Sequence, residues 1–145
     1  RVNDFSPGDE GMVFDIGAAR VAPIICFELI DDQILHASAK SSNLFVVQTN
    51  SATFGESPES AQQLSITRVR AIEHSRNVLS VSTTGYSAVI DYKGKVVQQT
   101  SMATAEHLYA SVGLIDQNSV RDKIGDWASV GTLFWLLLVA RRMRV

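Results

Sequence analysis

Residues Met12 to Cys26 carry two hydrophobic rhythms in close succession. Met12, Phe14 and Ile16 alternate with Val13, Asp15 and Gly17, which predicts a strand with one buried face. Val21 to Cys26 is apolar throughout apart from Pro23, which predicts a strand covered on both faces. Pro23 limits how far that strand can be paired. The turn between the two falls at Gly17-Ala18-Ala19. Asp31 or Asp32 then caps a predicted helix that runs to about Lys40, with Ile34, Leu35 and Ala39 inward.

The rhythm returns to a strand in "NLFVVQTN", Asn43 to Asn50. A small and polar loop, "SATFGES", follows. Ser57 as N-cap and Pro58 at the first helical position open a long predicted helix. Leu64, Val69 and Ile72 share its apolar stripe, while Arg70, Glu73 and Arg76 recur at a spacing that lets neighbours pair. Val78–Thr83 and Tyr86–Tyr92 read as strands broken at Gly85. "DYKGK" reads as a hairpin turn with Gly94 at a positive φ. "HLYASVGLID" reads as a last strand. The order β-β-α-β-α-β-β-β-β predicts a layered α/β sheet covered by helices.

Near the C-terminus, "WASVGTLFWLLLVA" (Trp127 to Ala140) has no charge, and "RRMRV" follows at once. As a helix it measures about 21 Å, against a membrane core of about 30 Å. By length it suits a buried helix at least as well as a span. Arg141, Arg142 and Arg144 favour a span, because arginines collect on the cytoplasmic side.

Composition narrows the class. The 145 residues suit about one domain. With 46% hydrophobic and 19% charged residues the chain is globular rather than disordered. A net charge of −2 and the lack of a basic, aromatic-rich stripe argue against nucleic-acid binding. A single cysteine allows no internal disulfide. With 3 scattered histidines, no zinc site and no metal are expected, and no cofactor motif stands out. His36, His74 and His107 fall on different predicted elements and read as ordinary.

Cys26 is the candidate nucleophile, set at a strand end before a predicted helix. The residues alone leave two readings open. One is a buried, inert thiol; the other is a nucleophile poised for covalent catalysis. Glu28 is either a helix-start carboxylate favoured by the helix dipole or a support for Cys26. Asn50 is either a turn residue or part of a site.

Three stretches in order carry a resemblance: "ICFE", the run from "NLFVVQTN" through "TRVRAIEHSR" to "TGYSAVID", and the apolar C-terminal helix with its arginines. The first two resemble the nitrilase superfamily of carbon–nitrogen hydrolases. All three together are similar to the membrane-bound apolipoprotein N-acyltransferases of that superfamily. The resemblance implies a four-layer αββα sandwich, with residues 1–122 as its C-terminal half and 123–145 as a membrane helix with a cytoplasmic arginine-rich tail. It implies that Cys26 is the nucleophile, that the Phe27 backbone N–H is an oxyanion donor, and that Glu28 supports them. Asn50, Phe54 and Gly55 match the loop beside the acyl pocket.

Phe27 stands where the family usually has Tyr, and "SATFG" stands where the membrane enzymes often have Asp-Ala-Trp before Phe-Gly. The family's catalytic glutamate and lysine precede the cysteine strand, so they are expected upstream of Arg1. Neither role is carried onto Glu10, Lys40, Lys93, Lys95 or Lys123. The implied partners are a phospholipid acyl donor, a lipoprotein acceptor and the bacterial cytoplasmic membrane, with the catalytic domain on its outer face. A soluble amidase using the same cysteine, or a non-catalytic remnant, is the competing expectation.

Overall fold

The computed structural model describes residues 11–142, apart from 56 and 126 and the side chains of 54 and 128. β1 (Phe14–Ile16) and β2 (Ala19–Ile25) form an antiparallel pair, with Gly17 at φ 61° in the turn. The β1 ladder stops at Val21, and Pro23 is paired with Val46 of β3. The sheet therefore tolerates Pro23 beyond the reach of the edge strand. β3 (Leu44–Thr49) and β4 (Val78–Ser82) continue in parallel, and β5 (Ala88–Ile90) and β6 (Val96–Gln99) close the sheet in antiparallel fashion. Strand order in space equals order in sequence.

α1 (Asp32–Ser41) joins β2 to β3, and α2 (Glu59–His74) joins β3 to β4. Two parallel crossovers that step in one direction with one hand place both helices on the same face. Leu35 and Ala39 of α1 and Ala71 of α2 accordingly pack with Ala22, Ile24, Phe45, Val47, Val78, Ala88 and Ile90 in one core. Ile24 is 0% and Phe45 1% exposed, and each such burial contributes about 1.5–3 kcal/mol. Asp31 caps α1, its carboxylate accepting the N–H groups of Gln33 and Ile34 at 2.9 and 3.0 Å.

Among the described residues the other face of the sheet has no covering layer. Phe14 pairs with Val21 and therefore points away from Ala22 and Ile24. Phe14, Ile16, Ile25 and Val81 on that face are 48–66% exposed. The alternation of Met12, Phe14 and Ile16 was real, but its apolar side lines the open face, and Val13 packs on the core instead. A mixed α/β sheet with helices on one side is thus present, and the described residues hold one sheet of the expected sandwich.

Several elements depart from the sequence reading. Residues 107–116 form no strand. They run across the end of the sheet on single bonds, from Gln98 to the Tyr109 carbonyl, from Asn77 to the Gly113 carbonyl and from the Ile115 N–H to Asn43. Their partners are side chains and strand ends, so no ladder can build. α2 begins at Glu59 with Pro58 in the cap position and no side-chain cap bond, rather than on a Ser57 cap. Its buried stripe is Ser60, Thr67, Ala71 and His74, whereas Val69 and Ile72 are more than half exposed. Small side chains let α2 lie close to the sheet, and Val69 sits about 200° around the helix from Thr67. In α1, Ser38 joins Leu35 and Ala39 inside, and Ile34 is half-buried.

α3 (Val120–Ile124) spans the expected domain junction at 122–123, and α4 (Trp127–Arg142) follows. α4 has 16 residues, about 24 Å. Among the described residues no helix is long and apolar enough to cross a membrane. Arg144 lies outside the described residues.

Candidate functional site

β2 ends at Ile25, and the chain turns at once into a short 3-10 helix, Cys26–Ile30. Cys26 takes φ 50°, in the left-handed region, a conformation that costs about 1–3 kcal/mol for a residue with a Cβ. Three contacts hold it there. The Glu28 carboxylate reaches back across the turn and accepts the Ile25 N–H at 2.7 Å. Leu29, 2% exposed, plugs into the core. Arg70 on α2 donates its Nε–H to the Leu29 carbonyl at 2.9 Å.

Arg70 was expected in a ladder with Glu73 and Arg76. It does pair with Glu73 at 2.6 Å, and also with Asp32 at 2.7 Å. Burial pushes the guanidinium toward losing its proton, but Glu73 and Asp32 outweigh this and raise its pKa further. Arg70 is therefore a charged clamp joining α2, α1 and the turn that carries Cys26. Arg76 leaves the ladder. It is 0% exposed and donates to the carbonyls of Ala39, Ser42, His74, Ser75 and Gln117 and to Asn118 Oδ1. The Arg70–Glu73 pair was legible in the spacing; Asp32, the Leu29 carbonyl and the partners of Arg76 were not.

Beside Cys26 lies an open cavity of about 310 Å³. Phe27, Leu29 and Ile30 form one wall; Glu59, Gln62, Gln63 and Ile66 form the other. The second set recurs at i, i+3, i+4 and i+7, so one face of α2 looks into the cavity. Gln63 ties that face to the end of β3, its Nε2 donating to Thr49 Oγ1 at 2.7 Å. These α2 residues were absent from the sequence reading. The i, i+3, i+4, i+7 spacing was the available signal, but the more strongly apolar positions of the helix masked it.

Asn50, Phe54 and Gly55 sit past the end of β3, which is parallel to β2, so they lie on the same edge of the sheet as Cys26. Asn50 Oδ1 accepts the Ala52 N–H at 3.1 Å and the Thr83 hydroxyl at 3.0 Å, closing its loop. It lines a separate hollow with Val46, Gln48, Thr49, Val81, Ser82 and Thr83 on the open face. Phe54 ends a 3-10 turn, and Gly55 follows at φ 57°. Phe27 exposes 70% of its surface beside the cavity.

A second cluster was missed. His36 and His74 both meet Asp122 Oδ1, at 3.3 and 2.7 Å, while Ser119 donates to Oδ2 at 2.8 Å. No periodicity links residues 36, 74 and 122; only packing α1, α2 and α3 together does so. Burial pushes the Asp122 carboxyl up, but the bonds from His74 and Ser119 outweigh it and hold it below the ordinary range. Among the described residues no group of three or more His, Cys, Asp or Glu side chains is arranged to hold a metal.

A strained cysteine at the end of a parallel strand, carried by a β-α-β-α-β sheet, defines a class that comparison with known proteins identifies. The carbon-nitrogen hydrolase family profile matches residues 3–122, and the chain belongs to that family. Its curated relatives include the apolipoprotein N-acyltransferase of Geobacter metallireducens, 32% identical over 133 residues, covering 89% of this chain and 26% of the relative. Another, from Mycolicibacterium smegmatis, is 36% identical over 101 residues, covering 69% of this chain and 17% of the relative. The chain thus spans about a quarter or less of the length of these relatives. Among solved structures, an amidase from Nesterenkonia sp. shares the fold at TM-score 0.56 and 16% identity, covering 90% of this chain and 49% of that one.

Proposed function

We propose that the chain carries the nucleophile portion of a membrane acyltransferase that N-acylates bacterial lipoproteins. The supporting observation is Cys26 itself, held at φ 50° by Glu28 and Arg70 beside a largely apolar cavity. Curated relatives named as apolipoprotein N-acyltransferases supply the reaction class.

The chemistry runs in two steps. The Cys26 thiolate attacks the ester carbonyl of a phospholipid; the S–C bond forms, and the ester C–O bond breaks to release a lysophospholipid alcohol. The α-amine of a diacylglyceryl-cysteine then attacks the thioester; an amide forms, and the thiol is released. Phe27 follows Cys26 directly at the start of the 3-10 helix, and its backbone N–H serves as the oxyanion donor in this reading. Glu28 positions the turn rather than moving a proton, because its carboxylate is engaged by the Ile25 N–H. Asn50, Phe54 and Gly55 border the substrate approach on the same edge. The general base and the lysine of the family are assigned to no residue of this chain.

Residues 1–122 act as the catalytic portion and 123–145 as its membrane-facing end. Trp127, Leu133, Phe134, Trp135 and Leu137 of α4 are 60–76% exposed, a surface that suits lipid better than water. With Arg141 and Arg142 toward the cytoplasm, the site lies on the outer face of the bacterial cytoplasmic membrane.

The test is acyl trapping on the full-length protein with a labelled phospholipid. A hydroxylamine-sensitive acyl group on Cys26, absent in Cys26→Ala and discharged by a diacylglyceryl-cysteine peptide, is the expected result. Hydrolysis of small amides without phospholipid labelling would instead establish the amidase reading.

A further inference from the structure

We infer that the α2 face bearing Gln62 and Ile66 sets the length of acyl chain that the Cys26 site accepts, an inference that rests on the acyltransferase reading above. The cavity beside Cys26 is graded along α2. Its rim is polar or exposed, with Glu59 and Gln62 open to solvent and Phe27 and Ile30 70% and 54% exposed. Ile66 stands one helical turn past Gln62, is half-buried, and packs against the core. Leu29 opposes it from the cysteine turn at 2% exposure.

Of the apolar residues lining the cavity, Leu29 and Ile66 are the most covered and Phe27 and Ile30 the most exposed, so an acyl group on Cys26 Sγ leaves water most fully toward Leu29 and Ile66. The terminal methylenes of a chain lying there leave water, and each removed methylene contributes about a fourfold preference. A chain that runs past Ile66 meets the packed core and gains nothing further. The floor at Ile66 therefore acts as a stop, and Gln62 at the rim marks where the tail begins to be covered. α2 is rigid enough to act as a gauge, because Gln63 is tied to Thr49 at 2.7 Å and Arg70 to Leu29 at 2.9 Å. The same two bonds tie the helix to both the strand end and the nucleophile turn, so the depth of the cavity is set relative to Cys26.

The experiment measures Cys26 thioester formation in the full-length protein with phospholipids of graded acyl length. Ile66→Trp fills the floor and should cut the rate for long chains at least tenfold relative to short ones. Ile66→Ala should shift the optimum to longer chains. Gln62→Trp, at an exposed position that folding does not depend on, should narrow the rim and give the same shortening. Unchanged length profiles in the variants, with Cys26 still labelled, would overturn the inference. Absence of any thioester in the wild-type protein, whatever the chain length, would instead defeat the underlying reading.

Discussion

His74 Nδ1 lies 2.7 Å from Asp122 Oδ1, across 48 residues of chain and inside the protein. His74 is 2% and Asp122 4% exposed. The contact fastens α3 beneath α2, and His36 brings α1 to the same oxygen. One carboxylate thus joins three helices at the edge of the sheet opposite Cys26.

That carboxylate makes stability depend on acid. The Asp122 pKa is lowered in the folded protein, despite burial, by His74 and Ser119. A carboxyl lower folded than unfolded stabilises above its unfolded value of about 4. The contribution is lost as pH falls through the folded value. Thermal melts of the wild type should therefore drop below about pH 4, and Asp122→Asn should flatten that limb. At neutral pH the variant should lose about 1.5–3 kcal/mol, because the bonds that His74 and Ser119 make to a buried carboxylate become bonds to a neutral amide. A wild-type-like melt at pH 7 would contradict this.

Arg76 is held by backbone carbonyls rather than by a carboxylate. Its nitrogens reach Ser42, Ala39 and Gln117 at 3.0, 2.6 and 2.7 Å. Arg76→Lys keeps the charge but cannot span this fork. It should destabilise by about 2 kcal/mol or more, and Arg76→Ala by more still, read as shifts in the denaturant midpoint.

Glu28→Gln and Glu28→Ala separate support from proton transfer. The carboxylate only accepts the Ile25 N–H, and a glutamine carbonyl can do the same. On the acyltransferase reading proposed above, Glu28→Gln in the full-length protein should keep most of the rate of thioester formation. Glu28→Ala frees the turn and should lower the rate about 100-fold with a small change in KM. Equal loss in both variants would point to a proton-transfer role.

Gly94→Ala tests the hairpin. Gly94 has φ 75°, and a Cβ there would lie 2.7 Å from Ile72 Cδ1 and 3.0 Å from the Arg68 carbonyl. Backbone strain and overpacking together should cost about 2–4 kcal/mol. Because Arg68 Nε also donates to the Gly94 carbonyl, the change should loosen α2 from β5 and β6, visible as faster amide exchange in the hairpin.

The open face of the sheet predicts the behaviour of these 145 residues expressed alone. Phe14, Ile16, Ile25 and Val81 lie on this one face and are 48–66% exposed. The isolated chain should self-associate and bind a hydrophobic dye. A monomeric, dye-silent, cooperative melt would contradict it.

Local patterns were legible where neighbours in sequence do the work. The β1–β2 turn, the Asp31 cap, the Gly94 hairpin and the strand at Leu44–Thr49 depend on residues a few positions apart, so periodicity and turn chemistry revealed them. The same holds for Cys26, whose place at the end of an apolar run marked it before any contact was known. Residues 107–116 misled for the converse reason. Their apolar character is that of a strand, but they bond to the Gln98 and Asn77 side chains and the Asn43 carbonyl rather than along a strand's backbone, so no ladder forms.

The sequence by itself determined the class: a mixed α/β chain of the carbon–nitrogen hydrolase family with one cysteine at a strand end. Its long ordered motif and its local signals are properties of the chain alone. Only the tertiary structure decided what Arg70, Arg76, His74 and Ile66 do. Beyond the local contacts of Arg70 with Glu73 and of Arg76 with His74 and Ser75, their partners lie 34 to 48 residues away or across a cavity, and no periodic rule reaches that far. Which side of an amphipathic strand is covered is likewise a matter of what packs on it. That is why the alternation at Phe14 and Ile16 foretold a strand but not the face it turns to solvent.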